Sequence, residues 1–161
     1  MIKKLLFPAL IGAMAMFTAC ETDPCKDLEG KCGTGTCFEG TCVCDEGYEA
    51  DADGVCNVKW ATKFVGNYTG TDCGFALASP VVITELSATS IEILNFGGFE
   101  TIGKVTATVS GSKTLTIKDD NDTQNRAFDG TATIDGNTIT GSYKVTYPDG
   151  TSENCTFTYT K

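Results

Sequence analysis

Residues 138–147 read Thr-Ile-Thr-Gly-Ser-Tyr-Lys-Val-Thr-Tyr, and their alternation decides the fold. Ile139, Gly141, Tyr143, Val145 and Tyr147 fall on one side of an extended chain; Thr138, Thr140, Ser142, Lys144 and Thr146 fall on the other. Successive side chains of a strand point to opposite faces, so this stretch predicts an antiparallel strand with one face in a core and one in water. The same period of two recurs elsewhere. Cys155, Phe157 and Tyr159 alternate with Thr156, Thr158 and Thr160; Val105, Ala107 and Val109 with Thr106 and Thr108; Leu115 and Ile117 with Thr114, Thr116 and Lys118. Turn-forming residues stand between the runs at Ser87-Ala88-Thr89, Ser110-Gly111-Ser112, Asp135-Gly136-Asn137 and Pro148-Asp149-Gly150. The pattern predicts eight strands, near 63–72, 80–86, 89–95, 102–109, 113–118, 126–134, 137–147 and 151–160, preceded by one helical turn within Lys59 to Lys63.

Two cysteines choose between closed and open sheets. Cys73 ends the first strand and Cys155 lies near the start of the last, and a disulfide needs Cα atoms within about 7 Å. In an eight-stranded meander the two meet only if the first strand reaches the last. Residues 57–161 are therefore expected to form an eight-stranded antiparallel up-and-down β-barrel, with a β-sandwich whose outer strands come together as the alternative. Closure also removes the unpaired edges that an exported sheet would expose.

Residues 25–56 are built on another principle. Cys25, Cys32, Cys37, Cys42, Cys44 and Cys56 are spaced C-x6-C-x4-C-x4-C-x-C-x11-C, while the sizeable apolar residues are Leu28, Phe38, Val43, Tyr48 and Val55 alone. Five such side chains make no core, so a chain this short needs covalent staples. Six cysteines allow fifteen pairings. Zinc is the competing use of close cysteines, but Cys42-Val43-Cys44 lacks the gap that lets two sulfurs face one ion. Calcium fits poorly too: Asp51-Ala52-Asp53-Gly54 opens like a calcium loop without a closing glutamate, and reads better as an acidic turn in water. No metal or other cofactor is expected. The spacing, with Cys44-Asp45-Glu46-Gly47-Tyr48 as a C-x-x-G-aromatic turn, resembles an EGF-like module. That resemblance implies bridges Cys25 to Cys37, Cys32 to Cys42 and Cys44 to Cys56.

The first residues are an address. Met-Ile-Lys-Lys precedes a thirteen-residue apolar run, Leu5 to Phe17, and then Thr18-Ala19-Cys20, the order of a secretory signal over residues 1–19. A helix that crosses a bilayer needs about 20 apolar residues, so this run is too short for a permanent span. Phe17-Thr18-Ala19-Cys20 resembles the bacterial lipobox, with Phe17 where leucine is usual. The resemblance implies that Cys20 is acylated and begins the mature chain, with 20–24 as anchor and tether; ordinary signal cleavage beside Cys20 is the alternative. Of nine cysteines, lipidation of Cys20 leaves an even eight to pair. Glu21 and Asp23 behind it resemble the surface-export signal of Bacteroidota lipoproteins, which implies a protein anchored in the cell outer membrane and surface-exposed, or else held on the periplasmic face.

Charge and composition narrow the function. With 21 acids against 12 bases the chain carries −9, which disfavours nucleic-acid phosphate as a partner. Histidine is absent, which removes the commonest general base and the Ser/His and Cys/His nucleophile pairs. Phe64-Val65-Gly66-Asn67-Tyr68-Thr69-Gly70 resembles the Gly-x-aromatic first strand of small lipocalin-like barrels found in bacterial lipoproteins. Such a barrel is just wide enough to be filled by its own side chains or to hold one small ligand. Tyr68, Phe128, Tyr143, Phe157 and Tyr159 are expected to point inward, as core or as an aromatic pocket. Phe96 and Phe99 flank Gly97-Gly98 and look exposed; they would cap the barrel mouth over a ligand, or plug it. Lys118-Asp119-Asp120-Asn121-Asp122-Thr123 reads as a solvated acidic loop. The function expected is non-enzymatic: a cell-envelope lipoprotein that displays a barrel on an EGF-like stalk to bind a protein or glycan. A lipocalin-like carrier of a small apolar ligand is the alternative, and a hydrolase working through paired carboxylates the second.

Overall fold

The computed structural model describes residues 23–73, 78–98 and 104–161. The residues expected to form a signal, together with Cys20 and Phe99, lie outside the described residues. The described chain is mainly β, in two small sheets followed by a closed barrel.

The first sheet pairs β1 (Gly35–Phe38) with β2 (Thr41–Cys44), and the second pairs β3 (Tyr48–Ala50) with β4 (Cys56–Lys59). Three disulfides staple them: Cys25–Cys37, Cys32–Cys42 and Cys44–Cys56, with Cα separations of 5.7, 5.3 and 5.2 Å. This is the connectivity that the EGF-like spacing implied. β4 carries Cys56 onward to Lys59, past the boundary drawn at 56/57, because its outer residues still pair with Tyr48 and Glu49. Asp51 closes the turn between β3 and β4, its Oδ1 accepting from the backbone N–H groups of Asp53 and Val55 at 2.9 and 3.0 Å.

A short 3-10 turn, Ala61–Lys63, leads into the barrel. Its strands are β5 (Gly66–Asp72), β6 (Ser79–Ser87), β7 (Ser90–Leu94), β8 (Val105–Ser110), β9 (Thr114–Asn121), β10 (Ala127–Asp135), β11 (Thr138–Thr146) and β12 (Ser152–Thr160). Each pairs antiparallel with the next, and β12 returns to β5 through Phe157↔Asp72, Thr158↔Thr71, Tyr159↔Gly70 and Thr160↔Thr69. The barrel is closed, not a sandwich. Cys73–Cys155 clasps this seam, its Cα atoms 4.7 Å apart.

Inward residues alternate as expected along β8, β9, β11 and β12. Three boundaries differ from expectation by more than one residue; β8 begins at Val105 and not near 102, with 102–103 outside the described residues. β5 begins at Gly66 because residues 61–63 coil into the entry turn, and β9 runs to Asn121, through much of the stretch expected to be a loop. The acidic run is not simply solvated. Asp120 accepts a hydrogen bond from the Thr106 backbone N–H, and Asp122 and Arg126 are only 5% and 7% exposed. Asp122 Oδ1 accepts from the backbone N–H groups of Gln124 and Arg126, at 2.9 and 3.0 Å, while its Oδ2 takes the Arg126 guanidinium, so one carboxylate both folds the β9–β10 turn and holds a buried cation.

Large rings fit inside so narrow a barrel because glycines face them. Register sets Gly70 opposite Tyr159, Gly130 opposite Tyr143 and Gly141 opposite Phe157. A Cβ on Gly70 would lie 2.6 Å from the Tyr159 ring, and one on Gly141 2.7 Å from the Phe157 ring. Each ring therefore lies across bare backbone of the neighbouring strand.

The two barrel ends differ. The disulfide-rich sheets dock at the end that carries the β6–β7 turn: Trp60 N–H extends the β3–β4 pairing to Gly47 O at 2.9 Å, and the next residue, Ala61, donates its N–H to Ala88 O at 3.1 Å. Ion pairs Lys59–Glu85 and Lys63–Glu49, both 2.6 Å, flank these bonds, and Trp60 packs on the core. Gly47 lies so close to the β6–β7 turn that a Cβ on it would stand 2.7 Å from Thr89 Cγ2. The connections after β5, β7, β9 and β11 leave from the opposite, distal end.

Candidate functional site

Just inside the distal end lies a buried carboxylate. Asp72 closes β5 in phase with Tyr68 and Gly70, so the alternation turns it inward, and it is 4% exposed. Its Oδ1 accepts from the Tyr143 hydroxyl at 2.5 Å; its Oδ2 accepts from the Tyr159 hydroxyl at 2.5 Å and from the Gly97 backbone N–H at 3.1 Å. These donors come from β11, β12 and the β7–β8 connection. An unpaired buried carboxylate is costly, and these bonds are what make the position tolerable.

Burial pushes the Asp72 carboxyl above its ordinary range, and the Tyr143 and Tyr159 hydroxyls, with the Gly97 and Cys73 amides, pull against the rise. Tyr143 and Tyr159 are raised strongly, by burial first and by the neighbouring Asp72 second. Tyr68 is pushed up to about 12 by burial. Its hydroxyl donates to Phe64 O at 2.8 Å, toward the docked end, which keeps it out of the Asp72 cluster.

Phe96 fills the space beside the carboxylate. It is fully buried, with ring centroids 4.7 Å from Tyr143, 5.3 Å from Phe157, 5.5 Å from Phe128 and 6.4 Å from Tyr159. The exposed appearance of Phe96 in the sequence is thus corrected: the chain dips into the barrel there. Gly97 and Gly98 have φ of 75° and 73°, a left-handed bend that residues with a Cβ rarely adopt, and this turns the ring inward and aims the Gly97 N–H at Asp72. Of the candidate ligand-binding residues, the structure brings Phe96, Tyr143, Phe157 and Tyr159 into mutual contact, sets Tyr68 deeper, and leaves Phe99 outside the described residues. Where an aromatic pocket would be, Phe96 occupies the space.

Asp72 itself escaped the reading of the sequence, although its phase with Tyr68 and Gly70 was a usable signal. Its arrangement can hold a proton and pin the β7–β8 connection. Among the described residues one group of metal-ligand types gathers nearby, Cys73, Glu153 and Cys155, but its two sulfurs are joined to each other. No family model matches the chain, and no curated protein or solved structure matches it either.

The sign of the Asp72 effect on stability follows from its raised pKa. Between the ordinary value of 3.8 and the higher folded value, the folded state keeps a proton that the unfolded state has lost. The stability contributed by that proton is complete below 3.8 and is lost as pH rises through the folded value. Asp72→Asn has nothing to titrate, so its stability relative to wild type should climb over this window and then level off. Glu85, Asp51 and Asp149 are held low, chiefly by hydrogen bonds from Lys59, the Val55 amide and Thr151 respectively, and act with the opposite sign. They are common to both proteins and drop out of the difference. Urea titrations of both proteins across acid to neutral pH check this; parallel profiles would contradict it.

Proposed function

We propose that this is a lipid-anchored, non-enzymatic cell-envelope protein in which an EGF-like module carries a lipocalin-like barrel and presents the outside of that barrel to a protein or glycan. The observation that carries the reading is polarity of construction. The segment that follows the proposed anchor is stapled by three disulfides and docked on one barrel end, while the loop-bearing end faces away from the dock. The interior of the described barrel is taken up by its own rings, which leaves the outer wall and distal rim to meet partners. A shallow polar cleft of about 510 Å³ on the outer face of β10–β12, bordered by Asp129, Thr131, Ser142, Lys144 and Asn154, is one such surface. The docking bonds make the module a strut and not a loose linker.

Membrane attachment rests on Cys20. Each buried acyl methylene contributes about 0.8 kcal/mol and two or more chains hold a protein stably. Cys20→Ser, or blockade of lipoprotein maturation, should shift the full-length chain from the membrane fraction to the soluble envelope fraction nearly completely. Unchanged partitioning would contradict the anchor. Surface labelling of intact cells separates outward display from attachment on the periplasmic face. The carrier alternative requires Phe96 to vacate the barrel; an apolar ligand retained by the purified wild type in native mass spectrometry would favour it.

A further inference from the structure

The disulfide-rich module carries an apolar face that none of the described residues covers. Phe38 is 64% exposed and Val43 52%. The register Phe38↔Thr41 and Thr36↔Val43 places these four side chains on one side of the β1–β2 hairpin, while Cys37 and Cys42 lie on the other and bridge to Cys25 and Cys32. One face is therefore fixed by sulfur and the other is free. Leu86, on the barrel wall, is exposed singly and needs no special account.

We propose that the Phe38 and Val43 face rests on the lipid surface that holds the anchor. The inference depends on the reading of Cys20 as the acylated residue, and position argues for it. From Cys20 to Cys25 the chain can span at most roughly 18 Å. Cys25 is bridged to Cys37, whose Cα is 5.7 Å away, and Phe38 is the next residue. The hairpin tip also folds back on the tether: a Cβ on Gly40 would lie 3.4 Å from Pro24 Cβ. The barrel is met by the other sheet of the module, β3–β4, and the residues flanking it, through Gly47, Glu49 and Lys59. Among the described strands, those of the hairpin are thus leashed closest to Cys20.

Chemistry specifies what kind of contact this is. Residues 25–56 hold eight acids and two lysines, a net charge of −6 by subtraction, so charge attraction to anionic lipid is not the driving force. An exposed aromatic ring beside a β-branched residue can enter the headgroup and acyl boundary while the threonines on the same face, Thr36 and Thr41, supply hydroxyls to the wet side. Contact there would orient the module and direct the distal barrel end outward.

The test uses the full-length chain, purified from membranes and reconstituted in phosphatidylcholine vesicles with brominated acyl chains. Phe38→Trp in a Trp60→Phe background supplies one reporter, and Ser152→Trp in the same background reports from the distal end. The N-terminal peptide of each preparation is weighed. With acyl mass on Cys20, Phe38→Trp should emit to the blue of its Cys20→Ser counterpart in solution and lose intensity several-fold to bromine, while Ser152→Trp changes little. Acyl mass with a water-like, unquenched reporter at 38 would overturn the contact and leave the anchor standing. Absence of acyl mass would remove the anchor and the inference together. A blue shift in the Cys20→Ser form that grows with protein concentration and needs no lipid would assign the face to a second copy and overturn the proposal.

Discussion

Replacing both Cys73 and Cys155 with alanine in the full-length chain is expected to lower the free energy of unfolding by about 4 kcal/mol, the largest effect of any change to one disulfide in this protein. The bridge spans 82 residues, whereas the three in the module span 10 to 12. Loop-closure entropy grows with the logarithm of that separation, so the long bridge restricts the unfolded chain most. Its place in the fold adds a second reason. It clasps the seam where β5 meets β12, a ladder of four paired residues between the two ends of the barrel chain, while the adjacent β11–β12 ladder has nine. Without the clasp, fraying at the seam would expose two strand edges. Urea unfolding followed by fluorescence of Trp60, which packs against the barrel core, reads the change; an unaltered midpoint would contradict it.

Phe96→Ala is expected to cost about 3–5 kcal/mol, the range for emptying a fully buried phenylalanine site. The ring touches Phe128, Tyr143, Phe157 and Tyr159 from three strands, and the last three, each laid across a glycine, have little freedom to collapse inward. The adjoining Gly97 N–H is one of the donors that hold Asp72, so loosening the bend also weakens the carboxylate's shell. The void would be walled mostly by the rings of Phe128, Tyr143, Phe157 and Tyr159, a lining that suits benzene, and binding to the folded state alone stabilises by mass action. Saturating benzene should therefore raise the melting temperature of Phe96→Ala and leave that of wild type unchanged. A loss below 1 kcal/mol would mean that Phe96 is a movable cap and not a packed plug, which would strengthen the carrier reading.

Much of the barrel was legible because its signals are local. The period of two in Thr138–Tyr147 needs no partner to be seen, and the same holds for Val105–Val109 and Cys155–Tyr159. Closure was legible from Cys73 and Cys155, since a single cross-link between the first and last strands admits few topologies. What escaped depended on register and on contacts distant in sequence. Asp72 stood at a readable inward phase, but Tyr143 and Tyr159 lie 71 and 87 residues away. Gly70, Gly130 and Gly141 acquire meaning only when pairing sets a ring over each. The acidic run misled because charge density signals water on average, whereas Asp122 finds its cation four residues on, in Arg126. Gly97-Gly98 signalled a bend correctly and gave no sign of its direction. The dock of Gly47 and Ala61 on the β6–β7 turn has no periodic signature at all; it rests on one close approach and a few bonds at the join.

Sulfur ties these levels together: six cysteines staple the module, two clasp the barrel seam, and the ninth, Cys20, is the one proposed for the membrane. Non-reducing peptide mapping of the mature protein, with the mass of its N-terminal peptide, tests that assignment most directly. The expected map contains Cys25–Cys37, Cys32–Cys42, Cys44–Cys56 and Cys73–Cys155, with acyl mass on Cys20. Any exchanged partner, a free thiol at Cys73, or a bare Cys20 would contradict it.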